Sequence, residues 1–124
     1  MSSSEKETRE IIDPQFLILA YCNGYFPMAD SKTGPIHWYS PDPRAIIPLE
    51  TFHLPQSLRR IWKQKKFEIR VDTQFETVMR NCAERKDTWI SEEIVQSYVK
   101  LFHLGYGHSV ESWWENELVG GLYG

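Results

Sequence analysis

Between Phe26 and Pro43 the chain is interrupted by Pro27, Gly34, Pro35, Pro41 and Pro43, so no long helix or strand can run through this stretch. Proline lacks the N–H that a helix interior or inner strand requires, and glycine weakens either element through its conformational freedom. The interruption divides the sequence into a small N-terminal part, residues 1–42, and a main domain, residues 43–124. A chain of 124 residues has room for one such domain and its appendage.

Residues 1–12 are polar and charged and are expected to be disordered, with order beginning at Asp13. Asp13 suits a helix N-cap, Pro14 the first helical turn and Gly24 a left-handed stop. Phe16 to Tyr21 is apolar nearly all round, which predicts a helix sandwiched between other elements. Ala45 to Leu49 reads as a strand, with Pro48 marking an edge or an end. Leu54, Leu58, Ile61 and Trp62 then recur at helical spacing, while Arg59, Arg60, Lys63 and Lys66 share another side of the same cylinder.

Phe67 to Val71 alternates as a strand, and Thr73 with Glu76 has capping-box spacing ahead of Phe75, Val78, Met79 and Cys82. Ser91 heads a further helix, with Glu92 and Glu93 in its first turn, the stripe Ile94, Tyr98, Leu101 and Phe102, and a stop near Gly105. His108–Trp114 and Glu117–Tyr123 form a hairpin turning at Glu115-Asn116. This order predicts an α+β fold with an antiparallel ending. So apolar a terminal hairpin calls for further strand partners, and the sequence reads as cut short.

The net charge of −3 argues against a protein that coats nucleic acid indiscriminately, so any RNA contact must be local. Arg59 to Lys66 supplies the one candidate, a run with five positive residues and no negative one. Such a face is either a solvated surface or a phosphate-binding one. Trp89, just ahead of the Ser91 cap, is either core or a platform for a base. Gly120-Gly121 within a strand marks either a bulge or the close approach of a ligand.

Other chemistries find no footing. A nucleophile elbow, a P-loop, a GxGxxG after a strand and an HExxH are all absent from the sequence. His37, His53, His103 and His108 lack ligand-like spacing, and Cys22 and Cys82 read as buried, reduced thiols. Asp42, between Pro41 and Pro43, reads as a turn former paired with Arg44 more readily than as an acid-base group. No run approaches the length of a membrane span and the first residues lack signal-peptide order, so a cytoplasmic protein is expected.

Five blocks in order carry a resemblance. Gly24-Tyr25-Phe26-Pro27, Ile36-His37-Trp38-Tyr39-Ser40-Pro41-Asp42-Pro43-Arg44, Thr88-Trp89-Ile90, His108-Ser109-Val110-Glu111 through Trp113, and Glu117 to Gly124 resemble the ordered signature of the leucyl/phenylalanyl-tRNA–protein transferases. The match runs through nearly everything from residue 13 to 124. It implies an aminoacyltransferase that moves Leu, Phe or sometimes Met from aminoacyl-tRNA to the N-terminal Arg or Lys of proteins, marking them for degradation. The partners implied are the charged tRNA and the acceptor protein; neither DNA nor a membrane is among them, and no metal or other cofactor is needed. The family fold pairs a small N-terminal domain with a domain related to the GCN5-type acyltransferases, of which residues 43–124 would form the incomplete first half.

Carried over by position, Trp89 matches the family residue that packs against the terminal adenosine, with Tyr98, Tyr21 and the block residue Trp38 in the same region. Met28 stands where many relatives have Trp, offering a thioether in place of an indole. Arg60 and Lys63 match a basic cluster that approaches the tRNA backbone; Gln56 and Gln64 replace two of its members, so Arg59, Lys65 or Lys66 is expected to compensate. The acid and amide residues implicated in peptide-bond formation lie, in the family, beyond the Gly-Gly strand, so the resemblance implies no catalytic residue in this chain. The alternative expectation is an inactive fragment, or a small RNA-binding module that grips the tRNA 3′ end without chemistry.

Overall fold

The computed structural model of the chain describes residues 11–124. The expected disorder of the first residues falls on positions 1–10, outside the described residues. Ile11 and Ile12, also expected to be disordered, are placed: the Ile12 N–H donates to Ser97 Oγ at 2.9 Å and its side chain packs on the core.

Helix α1 spans Pro14–Cys22 and starts as its sequence dictates, with the Asp13 carboxylate accepting from Phe16 N at 3.2 Å. Gly24, at φ 84°, turns the chain away in the left-handed region. The helix is not sandwiched. Leu17 is buried, but Phe16, Leu19 and Tyr21 are exposed, because other elements face α1 on one side.

The proline-interrupted stretch does contain regular structure, in pieces short enough to fit between its breaks. Strands β1 (Phe26–Ala29) and β2 (Ile36–Tyr39) pair antiparallel, Pro27 opposite Trp38 and Met28 opposite His37. Asp30 N–H to Pro35 O at 3.2 Å closes the connection. The expected strand at 45–49 is absent from the described residues: Ile46, Ile47 and Leu49 are exposed and unpaired. Pro48 cannot donate to a ladder, and no neighbouring strand offers itself as a partner.

Helix α2 (Gln56–Lys63) leads into strand β3 (Glu68–Val71), then helices α3 (Phe75–Ala83) and α4 (Glu92–His103), and the hairpin β4 (Ser109–Trp114) and β5 (Glu117–Tyr123). β3, β4 and β5 form an antiparallel sheet in that order. Glu115 and Asn116, with φ 49° and 64°, make the tight turn that a two-residue hairpin prefers. The architecture is therefore α+β. α3 covers one face of the three-stranded sheet, and α4 packs on α3, α1 and β1. Leu17, Ala29, Phe75, Met79, Ile94 and Leu101 share one buried core.

Three local expectations need correction. Thr73 and Glu76 do not form a capping box. The start of α3 is held by Glu111 of β4, whose carboxylate accepts from Thr73 N at 3.0 Å and Gln74 N at 2.9 Å, and also from Thr73 Oγ1. Of the two thiols, Cys22 is exposed and Cys82 half-buried, since α1 has a solvent side. The Arg44 guanidinium reaches the Gly24 carbonyl at 2.7 Å and lies over the Phe26 ring, tying its turn to the end of α1 instead of pairing with Asp42.

The glycine pair sits at an irregularity of the hairpin and close against α3. The β4–β5 register shifts beside Ser112 and Trp113, which leaves a bulge next to Gly120. A Cβ on Gly121 would stand 2.9 Å from Val78 Cγ2, so the strand can lie this close to α3 only because that atom is missing.

Candidate nucleic-acid interface

The segment before α4 is fixed at several points. Thr88 Oγ1 accepts from Ile90 N at 3.1 Å, Ser91 Oγ from Ile94 N at 3.3 Å, and the Trp89 carbonyl from Ala29 N of β1 at 2.9 Å. These bonds pin the backbone on either side of Trp89, while its side chain remains 43% exposed. Trp89 thus carries an exposed indole on a hydrogen-bonded backbone and is not a core residue.

Around it the aromatics are linked. Tyr98, on the buried face of α4, hydrogen-bonds hydroxyl to hydroxyl with Tyr21 of α1. Tyr123 meets Tyr98 edge to face, centroids 5.9 Å apart, and Phe75 likewise at 6.3 Å. Burial, followed by the bond to Tyr21, pushes the Tyr98 phenol well above its ordinary pKa; burial pushes Tyr123 up to about 12. Both rings are therefore neutral at physiological pH and serve as surfaces and hydrogen-bonding groups. Tyr123 shares with Trp89 a recess of about 430 Å³, lined also by Asn81, Cys82, Arg85 and Ile90. A second recess, about 240 Å³, adjoins Trp89 beside Ala29, Ser31, Lys86 and Thr88.

Of the five residues expected at the adenosine, Tyr21 and Tyr98 touch, and Trp89 joins them by way of Tyr123. Met28 and Trp38 are not brought together. Their strand register puts Met28 with His37 on the outer face of the hairpin, and Trp38 with Pro27 on the inner face. Trp38 there packs edge to face on Phe16, centroids 5.3 Å apart, and against the core.

The basic run divides as well. Arg59, Arg60 and Lys63 lie on α2, none of whose residues is buried. Lys66 does not continue their face, because the helix ends at Lys63 and Lys65, at φ 51°, redirects the chain. Lys65 instead borders an apolar cleft of about 450 Å³ between Leu54, Leu58, Ile61 and Trp62 on one side and Phe67 and Ile69 on the other. Ile69 pairs with Ser112 and Arg70 with Glu111, so this cleft opens on the sheet face opposite α3. Basic helix and aromatic wall thus approach the sheet from different sides, α2 beside β3 and Tyr123 on β5.

Sequence reasoning passed over Glu111, Tyr123 and Arg85. Glu111 is fully buried, and its carboxylate also accepts from Ser109 Oγ at 2.6 Å and Trp113 Nε1 at 3.1 Å. Burial alone would raise its pKa, but the donors of Ser109, Thr73, Gln74 and Trp113 prevail and hold it at about 2. A carboxylate at an inward strand position, in step with Ser109 and Trp113, was the available signal. Tyr123 had a comparable one, an inward position on β5. Among the described residues no helix is long and apolar enough to cross a membrane, and no group of three or more His, Cys, Asp or Glu could hold a metal ion.

Comparison with known proteins bears on this arrangement. Residues 46–124 match the family described as leucyl/phenylalanyl-tRNA protein transferase, and residues 10–42 match the N-terminal domain of the same family. The chain is similar to leucyl/phenylalanyl-tRNA–protein transferases of Gloeobacter violaceus, 52% identical over 113 residues, and Salinibacter ruber, 48% over 113. That of Herpetosiphon aurantiacus is 52% identical over 114 residues. Each match takes in 91% of this chain, but 58%, 50% and 59% of the respective relatives, so the chain spans about half the length of the curated relatives it matches.

Proposed function

The chain belongs to the leucyl/phenylalanyl-tRNA–protein transferase family, and we propose that it grips the aminoacylated 3′ end of a tRNA for transfer of the amino acid to a protein. The amino acid is Leu, Phe or sometimes Met, the acceptor is a protein with N-terminal Arg or Lys, and the product is marked for degradation. In the transfer, the acceptor's α-amine attacks the ester carbonyl on the terminal ribose. The C–N bond forms, the ester C–O bond breaks, and the proton lost by the amine is returned to the ribose oxygen. Alignment of the two substrates and stabilisation of the oxyanion carry most of such a reaction.

The observation that supports this reading is the exposed Trp89 indole on a backbone locked by Ala29 and Ser91. A preorganised ring loses little freedom when a base stacks on it, an interaction of roughly 1–3 kcal/mol that reads no sequence. Tyr98 and Tyr21 buttress the wall behind it, and Met28 lies next to Ala29, the residue bonded to the Trp89 carbonyl. Trp38 supports the hairpin from within. Arg59, Arg60 and Lys63 project from a helix with no buried residue and suit phosphates of the acceptor stem; Lys65 and Lys66 extend the charge beyond it.

The test is transfer of labelled Leu or Phe from charged tRNA to a peptide beginning with Arg, run beside a binding measurement with the same tRNA. Transfer supports the enzyme reading. Binding without transfer supports an RNA-gripping module, and loss of both on Trp89→Ala with the fold intact supports the stacking role.

A further inference from the structure

Arg85 is exposed just past the end of helix α3. Helix α3 ends at Ala83, and Glu84 N–H to Asn81 O at 3.2 Å with Arg85 N–H to Ala83 O at 2.8 Å holds the departing chain. This brings the Arg85 side chain to the recess that Trp89 shares with Tyr123, where its charge acts on the Cys82 thiol and opposes the upward push of burial. Two other arginines of the main domain are engaged: Arg80 bonds Glu92 at 2.9 and 3.0 Å and Glu76 at 3.3 Å, and Arg70 bonds Glu68. Among the described residues Arg85 has no ion pair, although Glu84 and Asp87 are within two positions in the chain.

We propose that Arg85 binds the phosphodiester on the 5′ side of the nucleoside stacked on Trp89, an inference that rests on the stacking role proposed above. The recess combines a flat ring, an amide from Asn81 and a guanidinium that has no ion pair among the described residues, beside Cys82, Ile90 and Tyr123. That set fits a nucleotide better than an uncharged ring, because the planar fork of arginine matches two phosphate oxygens at once. On an acidic chain, a guanidinium beside the indole is also the local charge that makes an anionic RNA end welcome there.

The test compares adenosine, adenosine 5′-monophosphate and the dinucleotide cytidylyl-adenosine as probes, by calorimetry at low salt on the whole chain. The two phosphate-bearing probes are expected to bind roughly tenfold more tightly than adenosine, the gain of one hydrogen-bonded charge. Arg85→Gln removes that gain and leaves adenosine binding unchanged, while Arg85→Lys restores part of it. An undiminished gain in Arg85→Gln overturns the assignment alone. Adenosine that binds Trp89→Ala as well as the parent, or binds neither, overturns the stacking role and this assignment with it.

Discussion

Helices α2 and α4 both follow from an apolar stripe at helical spacing, yet the structure treats them in opposite ways. α4 buries Ile94, Val95, Ser97, Tyr98 and Leu101 and is capped by Ser91 Oγ; α2 buries nothing, and Pro55 at its N-cap offers no side-chain bond. Periodicity specifies a helix with a face, but what covers that face is settled by the elements that reach it. Around α4 stand α1, β1 and α3, whereas the Leu58–Ile61–Trp62 stripe looks across an open cleft, with Trp62 69% exposed. The half built on a buried helix presents an exposed indole, and the half built on an exposed helix presents positive charge.

Glu111 offers the hardest way to break this comparison, since it holds α3 on the side of the buried helix. Glu111→Ala strands several donors in the interior and is expected to cost about 4 kcal/mol in denaturant unfolding, as each orphaned buried group costs about 1–3 kcal/mol. The acid dependence has a definite sign. The folded pKa, about 2, lies below the ordinary carboxylate value near 4.5, so the stabilisation is complete above about pH 4.5 and is lost as pH falls towards 2. Glu111→Gln should flatten acid unfolding in that window, and an unchanged profile would remove Glu111 from this role.

Truncating the two stripes sharpens the contrast. Leu101→Ala is expected to cost about 3 kcal/mol as a core deletion, and Leu58→Ala less than about 1 kcal/mol. Equal costs would mean that α2 is docked more firmly than its exposure indicates. Smallest in stability is the pair Arg60→Ala and Lys63→Ala, within about 0.5 kcal/mol of the parent. The same pair should weaken tRNA binding and flatten its salt dependence by about one unit of slope per lost phosphate contact. An unchanged slope would reduce the basic face to a solvated surface.

What could be read in the sequence follows the same division. Asp13, Ser91 and the Glu115-Asn116 turn act within a few residues of themselves, and all three appear where local chemistry puts them. Ala45–Leu49 has the composition of a strand but pairs with no neighbour among the described residues, and pairing is not a local property. The cap on α3 comes from Glu111, thirty-seven positions from Gln74, so the nearby Thr73–Glu76 spacing misled. Within the candidate site, Trp89 could be singled out by its motif, but its exposure, and the presence of Arg85 and Tyr123 at the same recess, depend on three elements meeting.

The most direct test of the central claim, that Trp89 is a mounted platform for the nucleoside at the end of a tRNA, is binding of an adenosine-ended RNA to Trp89→Ala, with circular dichroism on the same sample. Binding weakened by about 1–3 kcal/mol on an unchanged spectrum is the predicted result. Unaltered binding, or a protein unfolded by the substitution, would contradict it.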